Sequence, residues 1–311
     1  LEMVSGSNIA ADIKSGEINF KLVPRLNAAG RIEHAQSALT LLRTKNHEEA
    51  LQLANHLDQL NHIRRDEEER ILAEARVQAE EQLRTYRTSL VLYAPTWHPG
   101  VIGIVASRIV DEFGKPTFVL CRTNDKLKGS GRSVGEVNLH SVLTEVQDYL
   151  FTFGGHKAAA AITITEDNLN PFRRAFDDAV EKAAKSHSLA QKLSIDGELP
   201  LQDAFSSQTI DEIELMEPFG QQNPAPVFVS PTLICERHDA IGHDKKNILL
   251  LVRDTTSNMS MQAKGWRLGN DFPPPTLAGK KVQLAFSLHL STFRGIPQPE
   301  LDIKDIRVLT A

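Results

Sequence analysis

Phe153-Gly154-Gly155-His156-Lys157-Ala158-Ala159-Ala160-Ala161 lies near the middle of the chain. Two adjacent glycines allow positive φ and leave their amides bare, so an anionic group can come close to the backbone. The histidine that follows can donate to a phosphate oxygen or exchange a proton near neutral pH. The small residues after it let a strand pack closely on its neighbour. The same letters also suit a plain tight turn entering a buried strand, so the surrounding elements must decide.

Working outward, Ser89–Ala94 reads as a strand, Pro95–Gly100 as a loop and Val101–Phe113 as a helix stopped by Gly114. Strands over 117–121 and 127–133, a helix over 138–149, a strand over 158–164 and a helix over 168–187 follow. This alternation predicts an α/β domain. Its unusual residues fall in loops and at strand edges, where ligand groups of α/β sheets collect: Trp97-His98, Gly129-Ser130-Gly131-Arg132-Ser133 and the Gly154-Gly155-His156 turn. The hydroxyl of Ser130, the guanidinium of Arg132 and the glycine amides make an anion cradle. No Gly-Lys-Ser/Thr opens a helix there, which argues against a Walker-type ATPase.

Towards the N-terminus, Ile18–Val23 reads as a short strand ended by Pro24. Arg25-Leu26-Asn27-Ala28-Ala29-Gly30-Arg31 then sets two arginines around small residues, and the guanidinium fork suits phosphate. Asn46 with Glu49 forms a capping-box pattern, and helix formers run from there to about Thr85. Leu53, Leu57, Leu60, Ile63, Ile71 and Ala75 recur at helical spacing. At ~1.5 Å per residue this helix is roughly 55–60 Å long, a strut between domains. Arg64-Arg65-Asp66-Glu67-Glu68-Glu69-Arg70 is expected on its solvated face.

Towards the C-terminus, a linker at 188–194 leads to a strand over 193–199, a helix over 208–216 and the irregular stretch Glu217–Pro226. Five strand-like runs follow, at 227–237, 247–253, 258–266, 280–291 and 300–309. Five strands in so short a segment predict a small closed barrel of the oligonucleotide-binding (OB) kind, with an SH3-like barrel as the other solution. Residues 237–267 hold six basic and three acidic side chains, and Trp266 and Phe293 are available either for base stacking or for the barrel core. His238-Asp239 and His243-Asp244 are metal-ligand types, but they are expected in a hairpin loop with no third partner.

Of the 311 residues, 41% are hydrophobic and 24% charged, the pattern of a soluble multidomain protein, and a cytoplasmic location is expected. No apolar run is long enough to span a bilayer. Cys121 and Cys235 lie in separate strand-like segments and are read as reduced, buried thiols. The net charge is −5, but it is unevenly spread. Residues 46–81 hold ten acidic and four basic residues, whereas 87–132 hold seven basic and three acidic, so the basic share sits beside the anion cradle. Leu1-Glu2-Met3-Val4 is not an initiator sequence, which suggests a piece of a longer protein.

In order, PRLNAAGRI (24–32), the long helix, WHPGVIGIVASRI (97–109), GSGRS (129–133) and FGGHKAAAA (153–161) resemble the RecJ family, bacterial single-strand-specific exonucleases of the DHH phosphoesterase superfamily. The resemblance covers nearly the whole chain. It implies an α/β plus all-β fold: the tail of a DHH domain over 1–45, a long connecting helix over 46–85, a DHH-associated domain over 86–190 and an OB-like barrel over 191–311. It implies 5′→3′ hydrolysis of single-stranded DNA in repair and recombination, with single-strand-binding protein and a helicase as partners. The family holds catalytic Mn²⁺ or Mg²⁺ through aspartates and an Asp-His-His motif in an amino-terminal domain, and this sequence has no Asp-His-His. The metal half is therefore expected outside this chain, which alone should bind no metal and cut no DNA.

By the same resemblance, Ser130 and Arg132 contact a terminal 5′ phosphate, with Arg31 and Arg25 nearby. His156 is the catalytic candidate, binding the phosphate beside the metals, and Gly154 and Gly155 permit close approach. Trp97 and His98 line the cleft. DHH-associated domains also occur in small-nucleotide phosphodiesterases and tRNA-editing domains, so a nucleotide- or tRNA-binding module is the alternative; the OB-like tail and the long helix favour the exonuclease.

Overall fold

The computed structural model describes residues 16, 18–186, 193–242, 245–291 and 298–309, and the chain divides into two units, residues 1–192 and 193–311.

The first unit opens with a π-helical turn, Ile18–Leu22, that runs into α1 (Val23–Ile32). The expected strand over 18–23 is thus helical. Pro24 occupies the first turn of α1, where its missing N–H costs nothing and its fixed φ favours the helix, so it starts an element here instead of ending one. After α2 (Gln36–Arg43) comes α3 (His47–Gln82), 36 residues and so about 54 Å long. Asn46 caps it, its Oδ1 accepting from the amides of Glu48 and Glu49 at 2.9 and 3.3 Å. The box is not reciprocal, because the Glu49 carboxylate accepts from the Thr44 hydroxyl instead.

Two small cores share α3. Its N-terminal half packs Leu57 and Leu60 on Ala28, Ala29 and Ala38, and its C-terminal half packs Ile71, Leu72, Ala75 and Ala79 against the sheet described next. Within the expected stripe, Ile63 is out of place at 52% exposure. Glu68, expected in solvent, is only 6% exposed: its carboxylate is shared by Arg64 at 2.7 Å and Arg108 at 3.1 Å. A carboxylate buried between two guanidiniums is the arrangement that makes such burial tolerable.

The sheet comprises β1 (Leu90–Tyr93), β2 (Thr117–Thr123), β3 (Lys126–Arg132), β4 (Thr152–Gly155) and β5 (Ala159–Ile164), in the order β1-β2-β3-β5-β4. Only β1 and β2 are parallel, joined by α4 (Ile102–Phe113), which ends at left-handed Gly114 (φ 63°). The double glycine, read as a turn, lies inside edge strand β4. The expected helix over 138–149 is α5 (Leu139–Glu145) followed by a 3-10 turn, Gln147–Tyr149.

One face of the sheet is covered by α5 and α6 (Leu169–Ser186) over a core in which Phe172 and Phe176 stack with centroids 5.5 Å apart and Phe118 meets both edge-on at 5.8 and 5.2 Å. Gly131 is glycine because a Cβ would press into the Phe118 ring. Asp177 of α6 fastens the start of β1, accepting from the Thr88 and Ser89 amides at 3.0 and 2.8 Å and from both their hydroxyls. On the other face α4 and α3 cover the Leu90–Leu92 and Val119–Cys121 side of the sheet. α4 also reaches over Ser130 and Arg132 of β3, and beyond them the same face is left open, with Lys128, Ala161 and Gly154 exposed.

The second unit carries short elements β6 (Gly197–Glu198), α7 (Leu201–Ala204), α8 (Ser207–Leu215) and β7 (Phe228–Val229) beside a barrel of β8 (Leu233–Ile241), β9 (Asn247–Asp254), β10 (Ser260–Gly265), β11 (Lys281–Ser291) and β12 (Gln298–Val308). The pairing runs β8-β9-β10-β12-β11 and back to β8, with β10 and β12 parallel and the rest antiparallel. This closed five-stranded Greek-key ring is OB-like and decides against the SH3-like alternative. The expected strand over 193–199 shrinks to Gly197–Glu198, and that over 227–237 is split between β7 and β8.

His238 and Asp239, expected in a loop, sit within β8 opposite Leu250 and Leu249, and His238 is buried. Its Nδ1 accepts from the Leu277 amide, its Nε2 is buried without a partner, and burial lowers its pKa. His243, Asp244 and Phe293 lie outside the described residues. Trp266 is 54% exposed, so it does not fill the core. Cys121 and Cys235 are buried free thiols, and burial pushes Cys235 up to about 11. Among the described residues no helix is long and apolar enough to cross a membrane.

Candidate functional site

Strand alternation sorts β3 into two sets. Leu127, Gly129 and Gly131 face the phenylalanine core, so Lys128, Ser130 and Arg132 share the opposite, open face. The register carries this face across three strands: Ser130 lies opposite Ala161, which lies opposite Gly154; Lys128 lies opposite Thr163, which lies opposite Thr152. Arg132 lies opposite Ala159, and the His156 amide donates to the Ala159 carbonyl at 2.8 Å, extending the register one step. The backbone of His156 thus lies across Ala159 from that of Arg132, two strands and about 10 Å away at the usual strand spacing. The run of alanines is the floor between cations on β3 and histidine and glycine on β4.

The two glycines of β4 have different reasons. Gly155 has φ 147°, and a Cβ there would press on the Ala159 carbonyl and come within 2.8 Å of Ala160 Cβ, so the hairpin itself requires glycine. At Gly154 a Cβ would meet nothing within 4 Å. Among the described residues nothing fills that space.

Arg132 Nη1 donates to Ser130 Oγ at 3.2 Å and to the Gly131 carbonyl at 2.8 Å, which lays the guanidinium along its own strand. Gly103 in the first turn of α4 makes room for it: a Cβ there would lie 3.0 Å from Ser130 Oγ and 3.3 Å from Arg132 Nη2. Burial, and next the charge of Arg31, lower the Arg132 pKa. Arg31 arrives from the end of α1, where its Nη1 donates to the Gly100 carbonyl at 3.1 Å. Among the described residues neither Arg31 nor Arg132 is paired with a carboxylate. Two neighbouring guanidiniums, one hydroxyl and a half-buried setting are chemistry that suits an anion.

The remaining candidates separate. His98 is half-buried and its Nδ1 accepts from the Gly100 amide at 3.1 Å, so it shapes the loop that receives Arg31. Trp97 does not line a cleft. It is 2% exposed within the α3–α4 core, with Nε1 donating to Glu74 at 2.7 Å, because a large ring on a short loop is best placed by burial. Arg25 is held elsewhere, its Nε donating to Asp58 at 2.7 Å and its Nη1 to the Lys21 carbonyl. The sequence reading missed Lys128, Gly103 and the Ala159/Ala161 floor; period-two alternation from Ser130 was the signal for Lys128. Among the described residues no group of three or more His, Cys, Asp or Glu could hold a metal ion.

The DHHA1 domain family matches residues 87–182, and the RecJ OB domain family matches residues 195–305. The chain belongs to the RecJ family. The single-stranded-DNA-specific exonuclease RecJ of Bacillus subtilis is 30% identical over 307 residues, covering 98% of this chain and 38% of that protein. The Escherichia coli RecJ of the same description is 30% identical over 314 residues, covering 96% of this chain and 52% of that protein. The crystal structure of Thermus thermophilus RecJ in complex with Mn²⁺ superposes with a TM-score of 0.80 at 29% identity, over all of this chain and 44% of that one. A second RecJ structure from that organism, with Mg²⁺, gives 0.79. The chain thus spans about half or less of the length of the RecJ proteins it matches.

Proposed function

We propose that this chain is the strand-gripping part of a metal-dependent exonuclease that hydrolyses single-stranded DNA from its 5′ end. The observation that carries the reading is the pair Arg31 and Arg132, uncompensated by any carboxylate among the described residues and set beside the Ser130 hydroxyl. Arg132, Ser130 and Arg31 hold the 5′-terminal phosphate. His156, across the alanine floor, meets the scissile phosphate, and Gly154 lets the strand lie close to the sheet. The OB-like barrel in the second unit supports a nucleic-acid substrate. In this proposal residues 1–45, 46–85, 86–190 and 191–311 are the DHH-domain tail, the connecting helix, the DHH-associated domain and the barrel.

The described residues do not fit a catalytic metal, so no step is assigned to one here. In the proposal Mn²⁺ or Mg²⁺ is held by residues beyond those described, and this chain binds and orients the strand. Repair and recombination in the cytoplasm, with single-strand-binding protein and a helicase, belong to the same proposal and rest on the resemblance alone.

The test is equilibrium binding of 5′-phosphorylated and 5′-hydroxyl oligothymidine to the full chain. Tighter binding of the phosphorylated strand is expected, with that preference lost in Arg132→Ala. Addition of Mn²⁺ should leave the oligonucleotide uncut. Equal binding of the two strands by the wild-type chain, or vigorous digestion by it in Mn²⁺, refutes the reading.

A further inference from the structure

The open face holds more than a phosphate site. Beside Ser130 lies a trough of about 420 Å³, within the range of small-ligand pockets. Its floor is Ala161 and Gly154, and Pro99 of the loop before α4 and Ile102 at the start of α4 bound it beyond β3. At its far end, one register row beyond Ser130, stand Lys128, Thr163 and Thr152.

We infer that this trough takes the base of the 5′-terminal nucleotide. The inference rests on the phosphate site proposed above and adds what lies next to it. With the phosphate on Arg132 and Ser130, a base that extends along the strands lies over Ala161 and Gly154, in the trough. A flat ring needs a flat floor, and methyl and hydrogen are the two smallest side chains available. The rim fits any base. The Lys128 ammonium is a mobile donor, and every base carries acceptors on its edges. The two threonine hydroxyls turn to donate or accept as the base requires. The pocket thus recognises that a base is present without choosing among the four.

The experiment compares thymidine 5′-monophosphate with 2-deoxyribose 5-phosphate as NMR titrants of the full chain. Wild type should bind the nucleotide about tenfold more tightly than the sugar phosphate. Ala161→Leu, which fills an exposed floor position, should abolish that difference, and Lys128→Met should reduce it. Wild-type binding of the two probes with equal affinity overturns the inference, as does an Ala161→Leu chain that keeps the full preference. Arg132→Ala separates the two levels. If it weakens both probes while Ala161→Leu affects neither, the phosphate site stands and the trough falls; if it weakens neither, the phosphate site falls and takes the trough with it.

Discussion

Gly100→Ala should cost the site its second arginine without replacing any residue proposed to meet DNA. A Cβ on Gly100 would press on the Arg31 carbonyl oxygen, 2.8 Å from its carbon and 3.0 Å from Arg31 Cα. Carbon atoms prefer about 3.5–4.0 Å, so the end of α1 must retreat by roughly 1 Å. The obstacle is helix backbone, which gives less readily than a side chain. Overpacking of this kind costs about 1–3 kcal/mol. At ~2–4 °C per kcal/mol for a unit of this size, melting should fall by about 2–12 °C. The Arg31 Nη1 bond to the Gly100 carbonyl, now 3.1 Å, breaks in the same movement. If Arg31 supplies one charge-assisted hydrogen bond of ~1.5–3 kcal/mol to the phosphate, preference for a 5′-phosphorylated strand drops by about 10- to 150-fold. Melting curves and the paired oligothymidine titration measure both effects. Gly154→Ala is the control: its Cβ has open space, so melting should hold while strand binding weakens. A Gly100→Ala chain with unchanged melting and unchanged phosphate preference would refute the argument that this glycine seats Arg31.

Asp177→Ala strands three amide donors at the entry to β1, those of Arg87, Thr88 and the buried Ser89. A loss of about 2–4 kcal/mol is expected in urea unfolding, and Asp177→Asn should recover part of it; a loss below ~1 kcal/mol would contradict the role. His238 supplies a pH dependence. Burial lowers its pKa in the folded barrel, so the unfolded chain binds a proton more readily. Barrel stability should be complete above about pH 6.5, the unfolded value, and decline as pH falls from there towards the lowered folded value. In His238→Leu this decline between pH 7.5 and 5.5 should vanish from urea titrations, and parallel wild-type and variant curves would count against it.

Element types were largely legible in the sequence because periodicity and capping are local. Asn46 marked the start of α3 and Gly114 the end of α4 through backbone needs that a few neighbouring residues express. What failed was burial that depends on distant partners. Nothing local says that Glu68 will meet Arg108, or that Trp97 will reach Glu74, since both pairings are made by α4 and its loop folding back on α3. The double glycine was misplaced for a related reason. Glycine is poor in strands, but β4 is an edge strand whose open face has no side chain to oppose it, so the usual penalty for glycine in a strand is small. Ser130, Arg132 and His156 were candidates by chemistry; that Ser130 and Arg132 share one face of β3 required the strand register.

The reach of Asp177 has a consequence for synthesis of the chain. It joins residues 88–90 positions apart, and its helix also supplies Phe172 and Phe176, the cover for Phe118 and the sheet. At ~5–20 residues per second, β1 leaves the ribosome roughly 5–20 s before the aspartate that fastens it. For that interval β1 to β3 exist as a nascent sheet with one greasy face unroofed. This interval, more than any step in the finished protein, is when the domain is most open to capture by a chaperone or by another copy of itself.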